Sequence, residues 1–122
     1  MKLVGINIVS ANPKRLADFY CNVLGAEINE NHGGPNRIEI WFGPRNNSSV
    51  CISANCDPSY APQTYNACQG FEFRVDNADA EYERLCALGI EIKEAPQDLP
   101  WGYRFFHLKD PDGNGIDIVQ KL

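Results

Sequence analysis

No stretch of this 122-residue chain reaches the roughly 18 apolar residues of a membrane-crossing helix, and none interleaves Lys and Arg clusters with aromatics as nucleic-acid surfaces do. The charge balance also has the wrong sign for phosphate backbones: 11 Lys and Arg stand against 16 Asp and Glu, a formal net charge of −5. Nucleic acid and membrane are therefore set aside as partners. There is no HExxH motif, no GxSxG elbow and no phosphate-binding glycine loop, so nucleophilic hydrolysis and nucleotide binding lack support. The five cysteines, Cys21, Cys51, Cys56, Cys68 and Cys86, are odd in number and contain no CxxC pair, which disfavours a disulfide framework or a zinc ribbon. They read as small buried hydrophobes in a reducing compartment. The opening Met1-Lys-Leu-Val-Gly-Ile-Asn7 lacks the apolar run of a secretory signal, and a cytoplasmic location is predicted.

What remains is an ordinary globular composition, 43% hydrophobic and 22% charged. A chain of this length can bury roughly two thirds of its unfolded surface, enough for a core without covalent staples. A single domain spanning 1–122 is expected.

Leu3 to Val9 is rich in β-branched residues and reads as a strand. Then the period changes from two to 3.6. Ser10-Ala-Asn-Pro13 supplies a helix start, and Leu16, Phe19, Tyr20, Val23 and Leu24 recur at helical spacing before Gly25. Three strands are predicted next, over Glu27–Asn31, Arg37–Phe42 and Ser49–Ala54, separated by His32-Gly-Gly-Pro-Asn36 and by Gly43-Pro-Arg-Asn-Asn47. Asn55 to Gln69 has no periodicity and reads as a connector.

From Gly70 the order starts again. A strand over Phe71–Val75, a helix from the Asp76–Asp79 cap region to Leu88-Gly89, and strands near Ile90–Glu94, Tyr103–Leu108 and Gly115–Val119 are predicted. Gly5-Ile-Asn-Ile matches Gly70-Phe-Glu-Phe, Leu24-Gly25 matches Leu88-Gly89, and Ser49-Val-Cys51-Ile matches Gly115-Ile-Asp117-Ile, at nearly one offset. The fold class is therefore α+β: two βαβββ modules, 1–55 and 70–122, joined by a 56–69 connector. A curved mixed sheet around a ligand cleft follows if the modules pair, within one chain or between chains.

The helix phrase Ala17-Asp-Phe-Tyr-Cys-Asn-Val-Leu-Gly25 and the closing phrase Phe106-His-Leu-Lys-Asp-Pro-Asp-Gly-Asn-Gly-Ile-Asp117-Ile resemble the vicinal oxygen chelate superfamily of glyoxalase I, bleomycin resistance proteins and extradiol dioxygenases. The resemblance implies modules around a cleft, often in homodimers. In metal-using members it implies one ligand from each of four strands, at positions that here hold Asn7, Cys51, Glu72 and Asp117. Every one departs from the family pattern, and an amide is a poor zinc or iron ligand. No cofactor is expected, and a divalent metal, if one binds, would use Glu72, Asp117 and Cys51.

Glu72 and Asp117 read either as solvated cleft carboxylates or as an acidic pocket floor for a cationic or polyhydroxylated ligand. A nucleophilic Cys51 is disfavoured by acidic neighbours, which hold a thiol protonated. Trp41, Trp101 and Tyr103 are candidate ring walls, ahead of Phe73, which strand alternation places opposite Glu72. His107 aligns with Trp41 at the module offset and can point either into packing or toward the cleft; His32 reads as a loop residue. Asp110-Pro-Asp-Gly-Asn114 begins like a calcium loop, but its twelfth position is Lys121, so a turn is expected. The loops 32–36 and 96–100 occupy matching places and read as connectors or as a gate.

The expected function is binding of a small neutral or cationic molecule in a homodimer, resembling the metal-free drug-sequestering proteins. The ligand-binding candidates are Asn7, Trp41, Cys51, Glu72, Trp101, Tyr103 and Asp117. Two alternatives stay open: a glyoxalase-like isomerase, lyase or dioxygenase with an atypical metal site, and a non-catalytic regulatory or oligomerisation module.

Overall fold

Asn12 starts the first helix by accepting the Arg15 amide on its side-chain oxygen at 3.0 Å, and Pro13 takes the first helical position. Helix α1 runs Pro13–Leu24 and ends at Gly25, whose φ of 75° is the left-handed conformation that closes helices. These coordinates come from a computed structural model that describes residues 1, 5–34, 36–44, 48–54 and 70–122. The predicted 55–69 connector lies outside the described residues. Strands β1 (Gly5–Ser10), β2 (Glu27–Gly34), β3 (Arg37–Phe42) and β4 (Ser48–Ala54) form one sheet in the order β1-β4-β3-β2. Only β1 and β4 run parallel. Leu16, Ala17 and Tyr20 of α1 are buried with Ile40, Val50 and Ile52, and the Tyr20 ring meets Phe42 edge-on at 5.6 Å.

The second half repeats this plan. Strand β5 (Gly70–Arg74) leads to helix α2 (Ala78–Ala87), capped by Asn77, which accepts the Ala80 amide at 3.0 Å. Strands β6 (Gln97–Leu99), β7 (Tyr103–Lys109) and β8 (Gly115–Lys121) complete a sheet ordered β5-β8-β7-β6, with β5 and β8 parallel. Its core is Ala78, Leu85, Phe106, Leu108, Ile116 and Ile118, all at most 2% exposed. The chain divides into two compact units, Met1–Thr64 and Tyr65–Leu122, each with its own helix-covered sheet.

Three expectations need correction. No strand forms over 90–94; the edge strand is β6, inside the stretch read as the 96–100 loop. The Glu91–Ile92 pattern that pairs as Glu27–Ile28 in the first unit finds no ladder partner here, and the three residues of β6 take over pairing with Tyr103–Phe105. Strand β2 likewise runs on through Gly33 and Gly34, read as loop, because a register shift between Ile28 and Gly33 lets the chain resume pairing with β3. The 110–114 segment is a turn, as expected.

Arg104 ties three elements of the second unit together. Its Nε and Nη2 donate to the two Asp79 oxygens of α2 at 2.9 and 2.8 Å, and its Nη1 donates to Asp98 of β6 at 2.7 Å. The hydrogen bond from Arg104 holds the Asp79 carboxyl below its usual value. A depressed folded-state value means stability that is complete above the ordinary carboxylate range and is lost as pH falls through the folded value. Asp79→Asn is therefore expected to lower the urea midpoint at pH 7 and to converge with wild type near pH 2; a gap of equal size at both pH values would contradict this origin.

Candidate functional site

Residues paired across adjacent strands share a face of the sheet, so the register alone assembles a row. Glu72 of β5 pairs with Asp117 of β8, and Asp117 pairs with His107 of β7. Helix α2 covers the opposite face: the Ala78 amide donates to Gln120 at 2.9 Å, and the Tyr82 ring meets Phe106 at 5.7 Å. Glu72, Asp117 and His107 therefore stand together on the helix-free face. His107 Nδ1 lies 2.7 Å from Asp117 Oδ1, with the two side chains 52% and 46% exposed. Paired with a carboxylate, which only accepts, Nδ1 is the donor, and the neutral ring keeps Nε2 as an acceptor.

The first unit has the matching row. Asn7 of β1 pairs with Cys51 of β4, and Cys51 with Glu39 of β3. Glu39 is 9% exposed. The Cys51 side chain lies outside the described residues.

Within each unit, two of the four family positions are thus cross-strand neighbours. Of the third members, the sequence reading omits Glu39 and leaves His107 between packing and the cleft. His107 corresponds to Glu39 and not to Trp41: Trp41 pairs with Ser49, and the equivalent place in the second unit, opposite Gly115, belongs to Lys109. A signal was present in the five-residue turn 110–114. A turn of that length sets Lys109 opposite Gly115 and hence His107 opposite Asp117.

The aromatic candidates divide. Tyr103 is on the helix-free face, where Arg74 Nη2 donates to its hydroxyl at 3.4 Å and the guanidinium lies 5.8 Å from the ring centroid. Trp41 is half-buried on the corresponding face of the first unit. Trp101 is off the sheet, in the turn between β6 and β7, and 70% exposed. Phe73 pairs with Ile118 on the helix-covered face, opposite Glu72, as alternation predicts.

A pocket of about 260 Å³ lies between the 91–97 segment and β7. Its lining includes Glu91, Lys93, Gln97, Phe105, His107 and Lys109. It opens where the predicted 90–94 strand fails to form, so a departure from the repeat creates it. Its volume is just below the roughly 300–1,000 Å³ of drug-sized ligand sites.

Among the described residues no three His, Cys, Asp or Glu side chains are grouped to hold an ion. The described residues also include no helix long and apolar enough to cross a membrane.

A family model described as the Glyoxalase/Bleomycin resistance protein/Dioxygenase superfamily matches residues 2–118. The uncharacterized protein YraH of Bacillus subtilis is 26% identical, with all of both chains covered. Among solved structures, a glyoxalase/bleomycin resistance protein/dioxygenase from Nocardioides superposes with a TM-score of 0.79 at 19% identity, covering 100% of this chain and 84% of its own. The lactoylglutathione lyase of Agrobacterium tumefaciens superposes with a TM-score of 0.77 at 17% identity, covering 98% of this chain and 92% of its own. At these identities the structural likeness concerns the fold.

Proposed function

This chain belongs to the glyoxalase/bleomycin resistance protein/dioxygenase superfamily, and within it we propose a protein that binds a small, donor-rich, neutral or cationic molecule without a metal. The carrying observation is the Glu72–Asp117–His107 row. The two carboxylates offer only acceptors, so the surface asks for a ligand bearing N–H or O–H groups. Glu72 and Asp117 are adjacent like charges, and Glu72 makes no ion pair among the described residues. A bound cation relieves that repulsion. The net charge of −5 draws cations toward the protein from a distance. We place this activity in the cytoplasm and in a homodimer, with Trp101 and Tyr103 of the second unit as ring walls and with Asn7, Cys51 and Trp41 as ligand contacts of the first unit's own row.

One observation favours a second reading, catalysis in place of sequestration. A histidine held through Nδ1 by a carboxylate has the arrangement of a general base at Nε2. Recovery of a bound ligand chemically unchanged would decide for sequestration.

The test begins with elemental analysis of untagged protein before and after EDTA. A stoichiometric ion that is lost in Glu72→Ala, Asp117→Ala would overturn metal-free binding. Thermal shifts follow with spermidine and kanamycin, a polyamine and a cationic polyol. At about 100 times Kd a ligand adds about 2.7 kcal/mol, so a rise of about 5 °C or more is expected, abolished in the double variant. The absence of any shift with either probe would sink the proposal.

A further inference from the structure

We infer that the pocket beside β7 takes one neutral peptide unit, an N-acylated amino-acid amide with an apolar side chain, paired to the main chain of His107. This goes beyond the acidic row, which lies on the face of the sheet; the second site is the strand's edge. The Asp110 amide donates to the Asn114 carbonyl at 3.0 Å, and the Leu122 amide donates to that of Gly102 at 2.9 Å. Gly102 and Asp110 flank β7 and are both even-numbered, so Arg104, Phe106 and Leu108 between them also turn their main-chain groups toward β8. The odd residues turn theirs the other way, where Phe105 and Tyr103 meet Gln97 and Leu99 of β6. His107 is next, but β6 has ended. One further step would set Ala95 opposite it, and among the described residues no ladder partner forms there. In the first unit the edge strand reaches higher, with Glu27 opposite Trp41, the counterpart of Lys109.

The pocket lies along this open edge, since Phe105 and His107 from one face of β7 and Phe106 and Leu108 from the other all line it. Its far wall is the 91–97 segment, and at about 260 Å³ it has room for a short ligand and not for a strand. An open edge recognises a peptide by its main chain. In a hydrogen-bonded antiparallel pair each residue gives its N–H to the other's C=O, so the ligand must carry both groups on one residue. Charge in the lining is balanced, with Glu91 and Glu94 alongside Lys93 and Lys109. A free carboxylate would face the first two and a free ammonium the second, which favours a ligand capped at both ends. Paired residues share a face, so the ligand's side chain would lie diagonal to Phe105, within reach of an aromatic contact.

The test is hydrogen exchange and titration followed by NMR. In the free protein the His107 amide should exchange at least about tenfold faster than those of Phe106 and Leu108, which bond to β8. Equal protection would mean that the edge is already paired, and would overturn the inference. N-acetyl-L-phenylalaninamide should then shift the His107 amide saturably and slow its exchange. The analogue methylated on the phenylalanine nitrogen has no N–H to give to the His107 carbonyl and should bind at least about fivefold more weakly. Free L-phenylalanine should also bind more weakly than the capped probe. Equal affinity for the methylated analogue would overturn main-chain pairing, and tighter binding of free phenylalanine would overturn the neutral ligand. Ala95→Trp fills the pocket and should abolish the shift; a circular dichroism melt checks its fold, and Ala95→Leu serves if it is unfolded. A shift retained in the filled variant, or none at His107 in wild type, would overturn the site whatever spermidine and kanamycin do, because those probes test the acidic row.

Discussion

Phe106→Ala is expected to destabilise the protein by about 3–5 kcal/mol, and its neighbour His107→Ala by no more than about 0.5 kcal/mol. The two side chains leave β7 on opposite faces. Phe106 is 2% exposed, pairs with Ile118 and meets the Tyr82 ring at 5.7 Å, so its removal leaves a cavity between sheet and helix. Its loss should lower the melting temperature by about 10 °C or more. His107 is half exposed, and among the described residues its ring bonds only across the open face, to Asp117. The effects on binding should run the other way: His107→Ala loses about tenfold in affinity for the cationic probes, the worth of one charge-assisted hydrogen bond. Phe106→Ala, at temperatures where it remains folded, should bind them as wild type does. Equal loss of stability in both variants would mean that His107 packs in the core, contrary to the register.

That one strand carries a core residue and a site residue side by side explains what the sequence revealed and what it hid. The glycine anchors and the final-strand match were enough to single out Asn7, Cys51, Glu72 and Asp117 as the family positions, because they lie on the strands flanking each helix, where the repeat is strict; their pairing, Asn7 with Cys51 and Glu72 with Asp117, is given by the parallel register. The α1 boundaries were legible for a similarly local reason, since Asn12, Pro13 and Gly25 act through their own backbone. The third strand of each row was not legible from the offset. Its register is set by the hairpin: Glu39 and Cys51 lie 12 residues apart in the chain but His107 and Asp117 only 10, so a single module offset misplaced His107 by one pleat. The edge strand was harder still. Glu91-Ile92 carries the same local preference as Glu27-Ile28, yet only the latter pairs. The choice is made by tertiary competition along the edge of β7, to which local propensity is blind. The pocket, with Lys93 and Glu91 in its lining, is a product of that competition and leaves no motif.

The turn that sets the site's register should be as sensitive as the core, and Asp110→Ala is expected to lose about 2–4 kcal/mol. Asp110 is 5% exposed, and its carboxylate accepts the amides of Asp112 and Asn114 at 2.9 Å each and the Asn114 side-chain amide at 2.7 Å. Its backbone closes the same loop, donating to Asn114 and accepting from Gly113, each at 3.0 Å. Gly113, at φ 85°, supplies the left-handed residue the turn requires. Alanine leaves three donors in a buried turn without their acceptor, which is why the cost exceeds that of one hydrogen bond. The functional consequence follows from pairing. A one-residue slip of β7 against β8 would turn His107 to the helix side and bring Phe106 out, so the hydrophobic face resists it while the turn selects the frame. Asp110→Asn keeps one accepting oxygen and should fall between alanine and wild type in chemical denaturation. The bonded His107 Nδ1 proton, followed by NMR, should persist in Asp110→Asn and broaden in Asp110→Ala well below the melting temperature. A sharp, unshifted Nδ1 signal in Asp110→Ala would show that strand packing alone holds His107 against Asp117.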